Sequence, residues 1–453
     1  MKPLALVFAA LVFSLHATGQ HSKPAEETAA KDNSLISYIK EGEINGHIRN
    51  FFMATQNSYG NDYHANAIGG VLRYETKPFK GFQAGVAGIF TYRLFSSDLN
   101  ESFAHTARPS RWEQELFDVV HKANYADLDR LEELYIKYAW NESYVTYGKI
   151  PVEYTPLLNL SDGRMKPFAF EGGWLHHRIQ SMRLDAAWLH RLSPRSTTEW
   201  LAMDEAIGLA DEGLQPNGLP AEYREHVPSA GLGVVHIGKQ INGVTVDFWN
   251  FHLDKVTNTS WLQLEYITPW WQVGAIYSYQ IPQAYQQRVA YEHRYVQPDE
   301  NGQVASFMVK FSERRSQFKV AYSRAFATGR YLFSKELGRD QFYTSIPRSR
   351  MEGLGGLDVV ALGYQYQRDQ LDFHLDATTT FGASTGNYAL NKYNIDDYYQ
   401  INTRLHYTFS NFLNGLHMEL LYIWKQNKKE HAPQLIAQRS DYNQINFITN
   451  FNF

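Results

Sequence analysis

The segment from Gln444 to Phe453 alternates between two chemistries. Ile445, Phe447, Thr449, Phe451 and Phe453 share one parity, while Gln444, Asn446, Asn450 and Asn452 hold the other, with only Ile448 out of step. Successive side chains of a strand point to opposite faces, so this segment offers one face to hydrocarbon and one to water. In a soluble sheet a chain ending this way would leave an apolar edge open to pairing with other chains. A closed membrane barrel removes the edge and gives each face its own solvent.

The same rule governs the strands before it. Leu371, Phe373, Leu375 and Ala377 alternate with Asp372, His374, Asp376 and Thr378. Tyr399, Ile401, Thr403, Leu405, Tyr407 and Phe409 alternate with Gln400, Asn402, Arg404, His406 and Thr408. Leu416, Met418, Leu420, Tyr422 and Trp424 do so against His417, Glu419 and Lys425, with Leu421 and Ile423 breaking the polar row. Weaker copies run back to residues 44–53, which predicts about eighteen strands of the length a tilted span needs. The predicted fold is all-β, a transmembrane antiparallel up-and-down barrel occupying residues 44–453.

Mean hydropathy is −0.43, too polar for a helical membrane protein, whose spans each need about 20 apolar residues in a row. The one apolar run, Leu4 to Leu15, follows Met1-Lys2-Pro3 and precedes His16-Ala17-Thr18-Gly19, the pattern of an export signal. Residues 1–19 are therefore expected to be a signal peptide and 20–43 a periplasmic lead-in. Export, no helical span and 30 Tyr with 10 Trp, rings that concentrate at membrane interfaces, point to the outer membrane of a Gram-negative bacterium. With no cysteine there is neither a disulfide framework nor a thiolate metal site. A net charge of −4 offers no global basic footprint for nucleic acid.

Connections alternate between short and long, and outer-membrane barrels place short turns in the periplasm and long loops outside. Trp140, Tyr144, Trp270, Trp271, Tyr366, Phe409 and Phe412 cluster beside the short links, where an aromatic girdle is expected. A barrel of this size encloses an aqueous channel unless something narrows it. The candidate is loop 153–171, stiffened by Pro156 and Pro167 and charged by Asp162, Arg164 and Lys166. Basic residues that could point inward from the wall are Arg49, Arg73, Arg93, Lys149, Arg178, Arg183, Arg191, Lys310, Lys319 and Arg404. Arginine is permanently charged and presents a planar fork to a carboxylate, so a row of such groups lets an anion step between sites. About half are expected to serve instead as partners of lumen carboxylates such as Glu75, Glu133, Asp185, Asp247 and Glu265.

Gly148-Lys149, Thr155-Pro156-Leu157-Leu158-Asn159, Asp162-Gly163-Arg164, Pro167 and Phe170-Glu171-Gly172 together resemble the constriction-loop signature of OprD-type outer-membrane porins. Gly46-His47-Ile48-Arg49-Asn50-Phe51-Phe52 is similar to that family's opening strand, and Tyr74-Glu75-Thr76-Lys77-Pro78 to a first periplasmic turn. The resemblance implies an eighteen-stranded channel for small, often carboxylate-bearing nutrients, with a basic ladder along one lumen wall. It implies roles for Arg49 as the first-strand arginine and for Asp162 and Arg164 as the loop pair. Lys149 stands where an arginine is expected, Ile150 where a polar residue is usual, and Lys166 replaces an apolar position.

The expected function is passive diffusion of small hydrophilic, anionic solutes past Arg49, Lys149, Asp162, Arg164, Lys166, Arg178, Arg183 and Arg404. The alternative is an adhesin or structural barrel whose long loops, 96–129 with Arg111-Trp112-Glu113 and 193–228 with Tyr223-Arg224-Glu225, bind a partner. Catalysis is not expected. His176 and His177 are strand neighbours on opposite faces, and the Asp372-x-His374-x-Asp376 row reads as a polar lumen face. No cofactor or metal is expected. Expected partners are small solutes, outer-membrane lipid and the barrel-assembly machinery reading the strand that ends at Phe453, with the chain a monomer or homotrimer.

Overall fold

A computed structural model of the chain describes residues 35–102, 109–151, 153–160, 164–210, 213–430 and 439–453. The expected signal peptide, most of the lead-in and Asp162 lie outside the described residues. Eighteen long strands form the wall, each antiparallel to its neighbours in chain order. The first, Glu43–Asn57, pairs both with the second, Tyr63–Glu75, and with the last, Tyr442–Asn452, which closes the sheet on itself. A further two-residue strand, Leu201–Ala202, pairs with the end of Met182–Ser193.

Alternation builds the wall as read from the sequence. In Ser316–Ala325 the outward Phe318, Val320 and Tyr322 are exposed, whereas the inward Ala321 and Ser323 are buried. The strands run further than expected on the long-loop side, as in Glu43–Asn57 and Arg130–Trp140, because their outer ends still pair with the neighbouring strands. One connection on that side is a tight turn, residues 254–256, which joins Val244–Leu253 to Thr257–Ile267. A helix of six residues, Leu35–Lys40, precedes the wall and rests on the first short link, with Tyr38 edge-on to Phe79 at 5.1 Å.

Of the expected girdle residues, Trp270, Trp271 and Phe412 are exposed beside short links. Tyr144 is the exception. Its hydroxyl donates to Glu153 Oε1 at 2.5 Å and its ring stacks on His176, so it faces the interior.

The buried core of this barrel lies inside it. Strand side chains and inward-folded loops form a large apolar cluster that includes Leu157, Leu158, Phe168, Trp249, Phe251, Trp261, Tyr331 and Phe342. A second joins Phe51, Met53 and Ile448 of the wall to Leu99, Leu116, Phe117 and Leu128 of the loop after the third strand. Burying such side chains is the main force that keeps loops in the bore instead of in solvent.

Candidate functional constriction

Four loops converge inside the wall. In loop 151–168 the Thr155 hydroxyl accepts the Leu158 amide at 2.7 Å and the Thr155 amide donates to the Leu158 carbonyl at 2.9 Å. This closes a tight turn that drives Leu157 and Leu158 into the core. Loop 326–356 docks on that turn. Asn159 Nδ2 donates to the Arg339 carbonyl at 2.7 Å, and the Arg339 amide to the Leu157 carbonyl at 3.0 Å. The approach depends on Gly338, where a Cβ would stand 2.1 Å from the Leu157 carbonyl oxygen.

Loop 326–356 leaves from Ser316–Ala325 yet reaches wall strands far around the barrel. Gln400 and Asn402 amides donate to the Pro347 carbonyl at 2.6 and 3.0 Å, and Arg348 Nε donates to Gln444 Oε1 at 2.8 Å. Lys425 Nζ donates to the Arg348 carbonyl at 3.1 Å, and Tyr343 donates to Glu265 Oε1 at 2.8 Å. The loop is thus a strap across the bore.

Loop 97–129 enters from the other side. Glu113 is buried and accepts Thr55 Oγ1 at 2.5 Å and Ser110 Oγ at 2.7 Å, while burial pushes its carboxyl above the usual range. Glu115 Oε2 lies 3.1 Å from Arg164 NH2 and 2.8 Å from Arg195 NH2, which joins this loop to loops 151–168 and 194–231. Burial alone would raise the Glu115 carboxyl, but Arg195 and then Arg164 outweigh it and hold it at about 2.

Between these loops and the wall lies a cavity of about 890 Å³, bordered by eleven Arg and Lys residues against five Asp and Glu. Arg49 and Arg404 border it. Arg49 Nε donates to Asn450 Oδ1 at 2.8 Å, and its NH1 donates to the Arg164 carbonyl. Arg404 stands opposite His374 in the register. Several of the remaining expected residues lie elsewhere. Lys149 is registered opposite the exposed Leu134 and therefore sits on the outer face, its ammonium 4.2 Å from the Trp200 ring. Arg164 and Lys166 belong to the expected loop but are fully buried within it, not on the cavity surface. Burial, and then repulsion from Arg130, brings the Lys166 ammonium down to about 7. Arg178 and Arg183 face inward near a short link, bound to Glu142 at 3.1 Å and Asp247 at 2.9 Å.

Arg73 pairs with Glu133, and Lys319 lies 3.9 Å from Asp376, so these wall cations answer wall carboxylates as expected. His374 Nε2 meets Asp372 Oδ2 at 2.9 Å, and His236 sits between Asp185 and Asp247 at 2.7 and 2.8 Å. Among the described residues no group of three or more His, Asp or Glu is placed to hold a metal ion.

The cations missed by the sequence reading are mostly on loops: Arg111, Arg195, Lys335, Arg339, Arg348 and Arg350 border the cavity, as does Lys425 of the wall. One signal was available. Residues 326–356 carry five basic side chains interleaved with Tyr331, Leu332, Phe333, Phe342 and Ile346, a composition suited to a segment with an apolar seat and charged projections.

No family model matches the chain, and no curated protein is similar to it in sequence. Solved structures are similar in fold. The structure of OccK9 (OpdG) of Pseudomonas aeruginosa superposes with a TM-score of 0.70 at 15% identity, over 92% of this chain and 99% of that one. OccAB2 of Acinetobacter baumannii gives 0.68 at 15% identity over the same shares, 92% and 99%. OpdK of Pseudomonas aeruginosa, solved with vanillate, gives 0.66 at 15% identity, again over 92% and 99%. The chain therefore has the closed eighteen-stranded barrel fold of the OprD-type porin structures.

Proposed function

We propose that this chain is an outer-membrane porin through which small hydrophilic anions, carboxylates foremost, diffuse passively. The observation that carries this reading is the cavity at the constriction, where cations outnumber carboxylates by about two to one. A carboxylate entering it would exchange water for guanidinium forks carried by the wall and by the loops packed in the bore, and several weak sites in sequence favour passage over trapping. Support comes from OpdK, a protein of the same fold solved with vanillate, itself a carboxylate. In this reading residues 1–19 direct export, 20–43 form the periplasmic lead-in, and the apolar outer face meets outer-membrane lipid of a Gram-negative bacterium.

The surface-adhesin alternative drew on loops 96–129 and 193–228, with Arg111-Trp112-Glu113 and Tyr223-Arg224-Glu225. Tyr223 is buried in the large apolar cluster with Leu157 and Phe168, whereas Trp112 packs on the second cluster with Phe51 and Met53, at 6.3 Å from the Tyr442 ring.

The test is the reversal potential of purified protein in planar bilayers under a salt gradient. Wild type is expected to be anion-selective, and Arg49→Ala and Arg404→Ala each to lower that selectivity. Reversal potentials unchanged in both variants, or a wild-type barrel that carries no current, would defeat the proposal.

A further inference from the structure

We infer that Glu115 sets the charge selectivity of the constriction, as a positioning residue that masks Arg195 and Arg164 and fixes the loop segment on which Arg49 rests. The inference rests on the channel reading above. It starts from the convergence of three loops on one side chain. Glu115 borders the cavity, and its Oε2 is 2.8 Å from Arg195 NH2 and 3.1 Å from Arg164 NH2. Its own carbonyl accepts the Ser196 hydroxyl, and four residues further on the Val119 amide donates to the Ser196 carbonyl at 2.9 Å. Loop 97–129 is therefore stitched to loop 194–231 by both side chain and backbone.

The chain of contacts continues to the wall. Arg164, held from its guanidinium end by Glu115, has a left-handed backbone at φ 48° and offers its carbonyl to Arg49. Both guanidiniums lie about 6 Å from the Phe51 ring, at 6.0 and 5.8 Å, so the two arginines share one apolar floor. Glu115 thus acts twice. Its charge offsets cations at the cavity edge, and its two arginine bonds hold the backbone that orients Arg49. A wall of this kind must bind anions weakly enough to release them, and a carboxylate fixed among the arginines lowers the depth of the well a solute meets.

Charge and positioning separate in three variants, each first shown to be folded by its heat-dependent mobility on a gel. Glu115→Gln keeps the shape and removes the charge. It is expected to raise the chloride-to-potassium permeability ratio by roughly twofold or more, since a unit charge a few ångströms from the path acts at low effective dielectric. Glu115→Asp keeps the charge on a shorter arm, and is expected to leave that ratio at the wild-type value while changing single-channel conductance. Arg195→Gln leaves Glu115 underneutralised and should move the ratio towards potassium. A Glu115→Gln ratio equal to wild type, an Asp variant that shifts as far as Gln, or an unmoved Arg195→Gln ratio would each overturn the inference. Wild-type protein that passes no current would defeat the channel reading instead, which keeps the two failures apart.

Discussion

Lys166 offers the sharpest stability test, because its place in the fold is unfavourable in a way that pH exposes. The side chain is fully buried, and its ammonium has no hydrogen-bond acceptor among the described residues. Burial, followed by the charge of Arg130, lowers its pKa from 10.5 to about 7. A gap of that size corresponds to on the order of 5 kcal/mol against the protonated form in the folded state. The sign follows from proton counting. Between about 7 and 10.5 the unfolded chain binds a proton that the folded chain does not, so this group's contribution to stability rises with pH through that window. It is least favourable below pH 7, where the full penalty applies. Lys166→Met keeps the length and drops the charge, so it should stabilise the protein by on the order of 5 kcal/mol at pH 6 and about 2 kcal/mol at pH 9. Urea unfolding in detergent, followed by tryptophan fluorescence, gives both midpoints, and only the difference between variant and wild type is read, so other titrating groups cancel. A Met variant no more stable than wild type at pH 6, or an advantage that fails to shrink at pH 9, would refute the reasoning.

Three further outcomes follow from packing. Phe51→Ala removes a fully buried ring beneath loop 97–129 and should cost about 3–5 kcal/mol, read as a lower urea midpoint and as faster protease cleavage in that loop. Arg330→Ala strands the Glu300 carboxylate, which Arg330 now meets at 2.6 and 2.9 Å in a buried site, and should destabilise by about 3–5 kcal/mol, whereas replacing both by apolar residues should recover most of the loss. Gly338→Val would push a side chain into the Leu157 carbonyl, so loops 151–168 and 326–356 should separate and single-channel conductance should rise; an unchanged conductance would argue against that docking as the narrowing element.

The wall was legible because its signal is local. Side-chain parity needs only neighbours in sequence, and a lipid-facing row such as Phe318, Val320 and Tyr322 cannot be polar without cost. The constriction was legible only in part, because its residues meet across hundreds of positions. Arg49 and Asn450 are an example: each reads as a polar inward residue, but nothing in either segment names the other. Lys149 misled for a local reason. It lies on the outward parity of Ser143–Ile150 with Val145 and Tyr147, and basic character alone had placed it with the inward candidates. Arg164 and Lys166 are buried in their loop, and a loop's charge does not say which of its side chains meets solute and which is spent holding the loop.

The exceptions to alternation carry the rest of the information. A strand facing a water-filled lumen has no reason to place apolar side chains inward, since each would expose hydrocarbon to water. Ile448, Leu421 and Ile423 do so, and all three are buried, Ile448 beneath loop 97–129 with Phe51 and Met53, and the other two with Tyr442. Leu421 and Ile448 also border the central cavity, on the same side of the barrel as Arg404 and Lys425. Apolar residues on the inward parity thus mark the patches of wall onto which loops fold, and the cations beside them mark where the remaining passage runs. By this argument Ile448→Asn, which restores perfect alternation to the last strand, should not improve the barrel. It should unseat loop 97–129, release Glu115 from Arg164 and Arg195, and widen the channel.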